Sequence, residues 1–214
     1  MRAVVCLPTR NERDSIKLMV SKVRKLKLPV FVSDEHSTDG TIEIARKLKV
    51  PVYQRSCSGK GCGVQTALKV AKQKKYDVLV LIDCDNTYPV EDIPKLLSLM
   101  SRHDMVVGAR KFSNIPFVNR IGNFAHIWTI NVLFFTHLKD INSGLRAMSV
   151  NKFAGLIDAH KFDIEAQITC RALKNGLKVK EIPINYHKRT GQSKLRLSDG
   201  LSILWRIISE RFTP

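Results

Sequence analysis

The first 110 residues alternate short apolar runs with longer, basic segments that have helical periodicity. The apolar runs predict five strands, at residues 3–7, 30–33, 50–53, 78–82 and 105–107. Four helices are predicted between them, at residues 14–26, 41–47, 63–74 and 92–101. Parallel neighbours in a sheet need a crossover connection, which is usually a helix. The alternation therefore predicts an α/β fold with a mostly parallel, Rossmann-like sheet flanked by helices.

Polar sequences follow the first four predicted strands. They are PTRNE, SDEHSTDG, RSCSGKG and DCDNTYP, in chain order. In open α/β sheets, ligands bind outside the carboxyl ends of the strands. We therefore expect these four sequences to surround one ligand site.

The pattern changes after Arg110. Residues 117–138 form a long, largely apolar helical candidate, followed by the loop KDINSGLRAM, a helix at 164–175, a strand at 178–184 and the basic loop YHKRTGQSKLR. We predict a single domain over residues 1–214, with a first half at 1–110 and a second half at 111–214.

The last predicted helix, residues 201–212, has one apolar face. This face either packs on the core or lies on a membrane surface, and it is formed by Leu201, Leu204, Trp205 and Ile208.

The chain is strongly basic, with 36 Lys and Arg residues against 19 acidic ones and a formal net charge of +17. Such a surplus predicts an anionic partner, which is nucleic acid, a phosphorylated small molecule or acidic lipid. Charge alone does not choose among these. Aromatic residues make up only 7% of the chain and no helix-turn-helix, RRM or KH pattern is present, which argues against a nucleic-acid-binding module.

Other sequence features bear on the cellular setting. No apolar run approaches the roughly 20 residues that a transmembrane helix needs. The N-terminus reaches Pro8, Arg10 and Glu12 before a signal peptide's apolar region is complete, so we expect the mature chain to start at Met1. The five cysteines are odd in number and scattered, which predicts reduced thiols, and the spacing of Cys57 and Cys62 matches no zinc pattern.

Asp83 and Asp85 follow the fourth predicted strand with one residue between them. On an extended backbone, side chains two residues apart point the same way. Two converging carboxylates repel each other unless a cation lies between them, and hard oxygen ligands suit Mg²⁺ or Mn²⁺ shared with substrate phosphates. The alternative is a solvated turn in which Asp83 caps the next helix.

The order of eight motifs resembles that of inverting family-two glycosyltransferases with the GT-A fold. Within that family the motifs are most similar to those of the polyprenyl-phosphate branch, the dolichyl-phosphate mannose or glucose synthases, and the resemblance covers nearly the whole chain. The motifs are PTRNE, DEHSTDGT, GKGCG, DCDNTYP, VVGAR, NRIGN, DINSGLRAM and HKRTGQSKLR. The resemblance implies transfer of a sugar from a UDP- or GDP-linked donor to polyprenyl or dolichyl phosphate, with Mg²⁺ or Mn²⁺ held by Asp83 and Asp85.

The resemblance also implies which residues bind the nucleotide. They are Pro8, Thr9, Glu12, Asp34, Lys60 and Asp83. Two positions depart from the family pattern. His36 replaces a glycine at a tight turn, and Thr87 stands where several dolichyl-phosphate mannose synthases have a glutamine that binds the metal.

Further roles are implied for residues of the second half and the end of the fifth strand. The residues expected to bind the donor diphosphate and the acceptor phosphate are Arg110, Arg120, Arg189, Ser193 and Lys194. The residues expected to act in catalysis are Asp85, Asp140, Arg110 and Arg189. Glu165 is a second candidate for the acceptor side, in a less specific motif than Asp140. A phosphate-monoester acceptor is already anionic at neutral pH and needs little help from a base.

Residues 115–138 mix aromatic side chains with basic ones. Trp128, Phe134 and Phe135 alternate with Arg120, His126 and His137, which predicts an amphipathic segment at a membrane surface. We therefore expect a protein bound peripherally to the cytoplasmic face of a membrane, or held there by a separate membrane subunit. One alternative is a GT-A glycosyltransferase or nucleotidyltransferase that acts on a soluble or protein acceptor, and a more remote one is a nucleic-acid-binding module.

Overall fold

A seven-stranded sheet organises the computed structural model, which describes residues 1–111, 117–187 and 197–213. The strand order is β3-β2-β1-β4-β6-β5-β7. The strands are β1 (Ala3–Thr9), β2 (Val30–Asp34), β3 (Val52–Gln54), β4 (Val78–Leu81), β5 (Met105–Arg110), β6 (Arg146–Ser149) and β7 (Val179–Ile184). The helices are α1 (Arg13–Lys25), α2 (Thr41–Lys47), α3 (Lys60–Gln73), α4 (Ile93–Leu99), α5 (Phe117–Phe134), α6 (Val150–Phe153), α7 (Ile164–Lys174) and α8 (Leu197–Phe212), with a 3-10 turn at Val90–Asp92.

All strand pairs in the sheet are parallel except those that involve β6, which runs antiparallel between β4 and β5. Arg146, the first residue of β6, lies opposite Leu81 and Val107, close to the ends of β4 and β5. The loop before β6 therefore enters the sheet at the edge where its parallel neighbours end. This places the DINSG sequence beside the polar sequences of the first half.

The sequence predicted the five strands and four helices of the first half, and the structure confirms each of them in type and position. The prediction of a loop throughout KDINSGLRAM was wrong at its end, because Arg146–Ser149 forms β6. This strand gave no signal in the sequence because it is four residues long and begins with a charged residue. Its register between two apolar strands, rather than its composition, makes it a strand.

Helices cover both faces of the sheet. One face packs against α1 and α4, with Ile16, Met19 and Leu96 in its core, and the other packs against α3 and α7, with Leu68 and Ile168 in its core. A smaller apolar cluster joins α5, α7 and α8 and is formed by Ile130, Ile141, Ala166, Cys170, Ile203 and Ile207. The layers on both faces make the fold doubly wound.

Helix α8 packs on the protein through a different face from the one that its sequence suggested. Ile203 and Ile207 are buried, whereas Leu201 and Trp205 are 74% and 71% exposed. The interpretation of the predicted face as a core contact is therefore wrong for these two residues. In the described part of the chain, no helix has the length and apolar character that crossing a bilayer requires.

The buried and exposed side chains of helix α5 also differ from those that were predicted. Phe134 is partly buried against the small cluster and His126 is buried, so neither lies on an exposed face. Trp128 and Phe135 are exposed. The predicted membrane-surface segment thus keeps two of its three aromatic residues on the outside.

Cys57 and Cys62 form a disulfide, so the prediction that all five cysteines are reduced was wrong for this pair. Cys57 precedes α3 and Cys62 lies in its first turn, which brings their Cα atoms to 5.7 Å. The other three, Cys6, Cys84 and Cys170, are buried free thiols.

Candidate active site

Three charged side chains meet at the carboxyl edge of the sheet. The ammonium group of Lys60 lies 2.8 Å from Asp83 Oδ1 and 2.5 Å from Glu165 Oε1. Burial alone would lower the pKa of Lys60, but the Asp83 and Glu165 carboxylates outweigh it and raise that pKa above its ordinary value. The Lys60 ammonium group is therefore shared by two carboxylates, one from each half of the chain.

Tight packing of the Gly59-Lys60-Gly61 turn fixes the position of Lys60. Gly59 has a φ of +105°, and a side chain on Gly59 or Gly61 would overlap the backbone of residues 159–161. Gly61 N also donates a hydrogen bond of 3.2 Å to the carbonyl oxygen of Lys161. The two glycines thus let α3 begin directly against the segment that leads into α7, which carries Glu165.

Asp83 lies two residues beyond the end of β4 at Leu81 and not on the strand. A turn begins at Cys84 and includes Asp85, so the two carboxylates do not lie on one strand as was expected. Asp83 instead packs against Gly144 of the DINSG sequence, where any side chain would overlap its carboxylate. Gly144 N donates a 2.8 Å hydrogen bond to the hydroxyl of Tyr88, which closes the NTYP turn against the same loop.

Asp85 is 3% exposed, and one residue in the same turn fixes its carboxylate. Thr87 donates to Asp85 Oδ1 from its backbone N–H at 3.1 Å and from its hydroxyl at 2.6 Å. Thr87 is one of the two positions at which the sequence departs from the expected motif pattern. Its hydroxyl orients Asp85 in this structure.

Arg110 and Asp140 form a two-pronged ion pair. Arg110 Nε lies 2.7 Å from Asp140 Oδ2, and Arg110 Nη2 lies 2.8 Å from Asp140 Oδ1. The backbone N–H groups of Arg110 and Asn142 donate to the same carboxylate, which is fully buried. Asp140 was expected to act on the acceptor side, and its hydrogen bonds give it the geometry of a residue that holds Arg110 in place.

Two of the expected nucleotide-binding residues, Thr9 and Asp34, lie where β1 and β2 end side by side. Thr9 pairs with Asp34 in the sheet and donates a 2.7 Å hydrogen bond from its hydroxyl to the buried Asp34 carboxylate. Ser37 donates to the same carboxylate from its backbone at 2.8 Å and from its hydroxyl at 2.6 Å. His36 has a φ of 50°, so it adopts the left-handed conformation that usually favours glycine.

Two buried arginines at the site were missed by the sequence analysis. Arg55 donates to the carbonyl oxygens of Thr9, Ser33 and Gly59 and pairs with Glu35 at 2.8 Å, so it joins the ends of β1 and β2 to the loop after β3. Its only signal was its place in RSCSGKG, and a single arginine after a strand is usually solvated.

Arg146 is the second of these arginines. Its guanidinium donates to the carbonyl oxygens of Ile141, Ser143 and Glu165, so one side chain holds the DINSG loop against the start of α7. Burial lowers its pKa from the ordinary value. The signal was the Leu-Arg pair after DINSG, which became interpretable only when β6 was placed in the sheet.

The remaining expected residues lie on neighbouring parts of the fold or outside the described residues. Glu12 directly precedes α1, and its backbone N–H donates a 2.8 Å hydrogen bond to the hydroxyl of Thr41. Pro8 lies in β1 and pairs with Ser33 on β2. Arg120 lies in the first turns of α5 and is partly exposed. Arg189, Ser193 and Lys194 lie outside the described residues.

The sequence profile of the family described as Glycosyl transferase family 2 matches residues 4–159. This chain belongs to glycosyl transferase family 2. The match begins in β1 and ends beside the Gly59-Lys60-Gly61 turn. It therefore includes Lys60 and Asp83 but not Glu165. The prediction of family-two membership from the motif order is confirmed, and the protein is a glycosyltransferase.

Curated relatives of this family-2 chain are similar over most of its length. A dolichyl-phosphate hexose transferase from Haloferax volcanii is 29% identical over 89% of this chain and 85% of its own. An undecaprenyl-phosphate mannosyltransferase from Micrococcus luteus is 27% identical over 91% of this chain and 88% of its own. A polyprenol monophosphomannose synthase from Mycolicibacterium smegmatis is 25% identical over 96% and 85%.

Solved structures confirm the fold of this glycosyltransferase. Glucosyl-3-phosphoglycerate synthase from Mycobacterium tuberculosis, bound to phosphoglyceric acid, superposes with a TM-score of 0.82 at 18% identity, covering 99% of this chain and 80% of that one. The same enzyme bound to Mn²⁺, UDP and glucosyl-3-phosphoglycerate gives a TM-score of 0.78. The mostly parallel sheet between helices is the GT-A fold that the motifs predicted.

Proposed function

We propose that this glycosyltransferase moves a sugar from a UDP- or GDP-linked donor to a polyprenyl or dolichyl phosphate at a membrane surface. The names of the curated relatives support the lipid-phosphate acceptor. The observation that carries the proposal is a chain of hydrogen bonds from the DINSG loop to two helices that expose aromatic side chains.

That chain of hydrogen bonds runs through His126 on α5. His126 Nε2 lies 2.9 Å from the carbonyl oxygen of Gly200 on α8, which can only accept, so Nε2 carries the proton. Asn142 Nδ2 then donates to His126 Nδ1 at 3.1 Å. Asn142 lies two residues after Asp140, so α5 and α8 are bonded to the loop that holds Arg110.

The exposed face of α5 is continuous and apolar. Its residues recur every three or four positions and are Ile121, Phe124, Trp128 and Val132, with Phe135 just beyond the helix. Helix α8 packs against α5 and adds Leu201, Trp205 and Phe212 to the exposed apolar residues. Large aromatic side chains on a basic protein favour the headgroup region of an anionic bilayer. We infer that the protein binds peripherally to the cytoplasmic face of a membrane, alone or with a separate anchoring subunit.

A groove lies beside α8, next to two of its exposed apolar residues. It has a volume of about 460 Å³ and is lined by three apolar residues, Phe162, Leu201 and Trp205, and by six polar or charged ones, Lys161, Asp163, Asp199, Ser202, Arg206 and Ser209. Phe162 and Asp163 directly precede α7, which begins with Ile164 and Glu165. An acceptor whose polar head group lay in this groove would bring its phosphate toward the cluster of Lys60, Asp83 and Glu165.

The carboxylates at the end of β4 fit a divalent cation of the Mg²⁺ or Mn²⁺ type. The ammonium group of Lys60 lies between the Asp83 and Glu165 carboxylates, which makes this a place where the protein favours positive charge. Asp83 and Asp85 would hold the ion through hard oxygen atoms, with Thr87 orienting Asp85. When bound, the ion would neutralise charge on the departing nucleoside diphosphate.

The other site residues would bind and orient the substrates. Pro8, Thr9, Glu12 and Asp34 would surround the nucleoside. Asp140 would hold Arg110 so that its guanidinium meets phosphate oxygens, and Lys60 would add a second positive charge. The phosphate groups would also be bound by Arg120, Arg189, Ser193 and Lys194. The acceptor phosphate would attack the anomeric carbon as an anion, in line with the leaving group, and the sugar would invert.

The experiment is a matrix of UDP- and GDP-sugars against two acceptors, a short polyprenyl phosphate in anionic vesicles and a water-soluble phosphorylated acceptor, with Mn²⁺ present. Nucleoside diphosphate release and glycolipid formation are measured together. We expect one donor to yield glycolipid, and no product with the Asp85→Asn variant. Transfer to the soluble acceptor with none to the lipid would instead establish the alternative class of glycosyltransferase.

A further inference from the structure

The disulfide between Cys57 and Cys62 lies beside the imidazole of His160. One ligand atom from each of these three side chains lies within 4.8 Å of the other two. His160 is exposed, Cys57 is partly exposed and Cys62 is buried, so solvent reaches the cluster from one side. None of the three has a role in the proposed sugar transfer.

The backbone around these residues is held in place by contacts other than the disulfide. Cys62 N donates to the carbonyl oxygen of His160 at 3.3 Å, and Arg55 Nη1 donates to the carbonyl oxygen of Gly59 at 3.0 Å. The turn at Gly59 and Gly61 is packed against residues 159–161. Breaking the bond between the sulfur atoms would therefore leave both sulfurs close to the imidazole.

A dithiol alone can reduce this disulfide, because it supplies both electrons and both protons. A thiolate of the reductant attacks the more accessible sulfur, that of Cys57, and the Cys62 sulfur leaves and takes up a proton. The second thiol of the reductant then displaces the Cys57 thiol and closes the reductant's own disulfide. Two electrons and two protons pass to the protein.

The reduced cluster has the donor set of a soft metal ion. Two thiolates and one imidazole nitrogen are preferred ligands of Zn²⁺, and a tetrahedral ion would keep a fourth position for solvent. Binding releases the two thiol protons. The Asp83 and Asp85 carboxylates offer only hard oxygen atoms, so the two sites prefer different ions.

We propose that Cys57, Cys62 and His160 form a redox-controlled Zn²⁺ site, closed to metal as the disulfide and able to bind one ion when reduced. The disulfide and the bound ion would each cross-link Cys57 to Cys62 across the turn that presents Lys60. The sequence could not predict this site, because Cys57 and Cys62 match no zinc spacing and His160 is distant in the chain.

The test compares the full chain before and after reduction with a phosphine that is then removed under argon. Zn²⁺ binding is measured by competition with a chromophoric chelator. We expect the reduced chain to bind one more equivalent than the oxidised chain. Loss of a supporting partner alone weakens metal sites about 10- to 100-fold, so Cys57→Ser, Cys62→Ser and His160→Ala should each weaken binding by roughly 100-fold or more.

Two controls separate this site from other ligands. Asp85→Asn should retain the extra equivalent, which distinguishes the site from the carboxylates, and Cys170→Ser should retain it as a matched loss of one thiol. Co²⁺ should give a thiolate charge-transfer band with the reduced wild type and none with the Cys57→Ser variant. Equal Zn²⁺ stoichiometry in the two redox states, or unchanged affinity in the His160→Ala variant, would overturn the proposal.

Discussion

Lys60 Nζ lies 2.8 Å from the Asp83 carboxylate, and the same ammonium group contacts Glu165. In the proposed reaction the Lys60 ammonium group would contact the donor diphosphate, and a divalent cation would replace it beside the Asp83 carboxylate. Removal of one group that stabilises developing charge commonly costs about 10²- to 10³-fold in turnover. We therefore predict that Lys60→Met lowers kcat by about 100-fold in an assay of nucleoside diphosphate release. Lys69→Met, an exposed position on the same helix, is the control and should match the wild type.

Thr87 should control the affinity for the cation through Asp85. Thr87→Val keeps the shape of the side chain but removes the 2.6 Å hydrogen bond to Asp85 Oδ1. Losing such a supporting hydrogen bond typically weakens a metal site about 10- to 100-fold. We expect the Mn²⁺ concentration for half-maximal activity to rise by that factor while activity at saturating Mn²⁺ largely returns. Full activity of the wild type in excess EDTA would show that no metal is needed.

Arg110 and Asp140 should behave as one functional unit. Arg110→Lys removes the forked geometry, and Asp140→Asn leaves the guanidinium without its anionic partner. We predict that each change lowers kcat/KM and that the double variant is little worse than either single one, because both remove the same interaction. Arg102→Lys, at an exposed position, is the control for loss of a guanidinium. Fully additive losses would mean that Asp140 acts separately from Arg110.

The exposed face of α5 should set membrane affinity. Burying one large apolar side chain is worth about 1.5–3 kcal/mol. The double change Phe124→Ser and Trp128→Ser should therefore weaken binding to anionic vesicles at least about 10-fold. Glycolipid synthesis should fall with it, while slow hydrolysis of the nucleotide sugar continues. Leu18→Ser, on the exposed side of α1, is the matched control. A wild type that fails to float with vesicles at low salt would contradict the membrane proposal.

Stability should fall in mild acid because of His126. Burial lowers the pKa of His126 below its ordinary value of about 6.5, so below that pH the unfolded chain binds a proton that the folded chain resists. The contribution of neutral His126 is therefore complete above about pH 6.5 and is lost as the pH falls toward the lowered pKa. We expect the denaturant midpoint of the His126→Gln variant to change less between about pH 7 and pH 5 than that of the wild type. His137→Gln, at an exposed position, should keep the wild-type slope.

The strands could be predicted from the sequence, whereas the contacts of the buried polar side chains could not. Strands such as Val78–Leu81 were found because a short run of consecutive apolar residues between polar segments is typical of a strand buried on both faces. Lys60 was found because the GKGCG motif that contains it resembles a motif of family-two glycosyltransferases. Arg55 and Arg146 were missed because hydrogen bonds to distant carbonyl oxygens leave no trace in local sequence. Trp205 was assigned to a face of α8 by periodicity, but the neighbours of a helix decide which of its faces is buried.

The antiparallel strand β6 also has a consequence for synthesis of the protein. It lies between β4 and β5 in the sheet but follows both in the chain. Strand β5 pairs with β6 and β7, so as the chain leaves the ribosome β5 emerges before either of its partners exists. The first three strands and β4 can assemble in order, whereas β5 remains an apolar segment with open edges until Val179–Ile184 has been made. A nascent chain halted after Arg110 should therefore be held by chaperones or aggregate, and release should follow once β7 has left the exit tunnel.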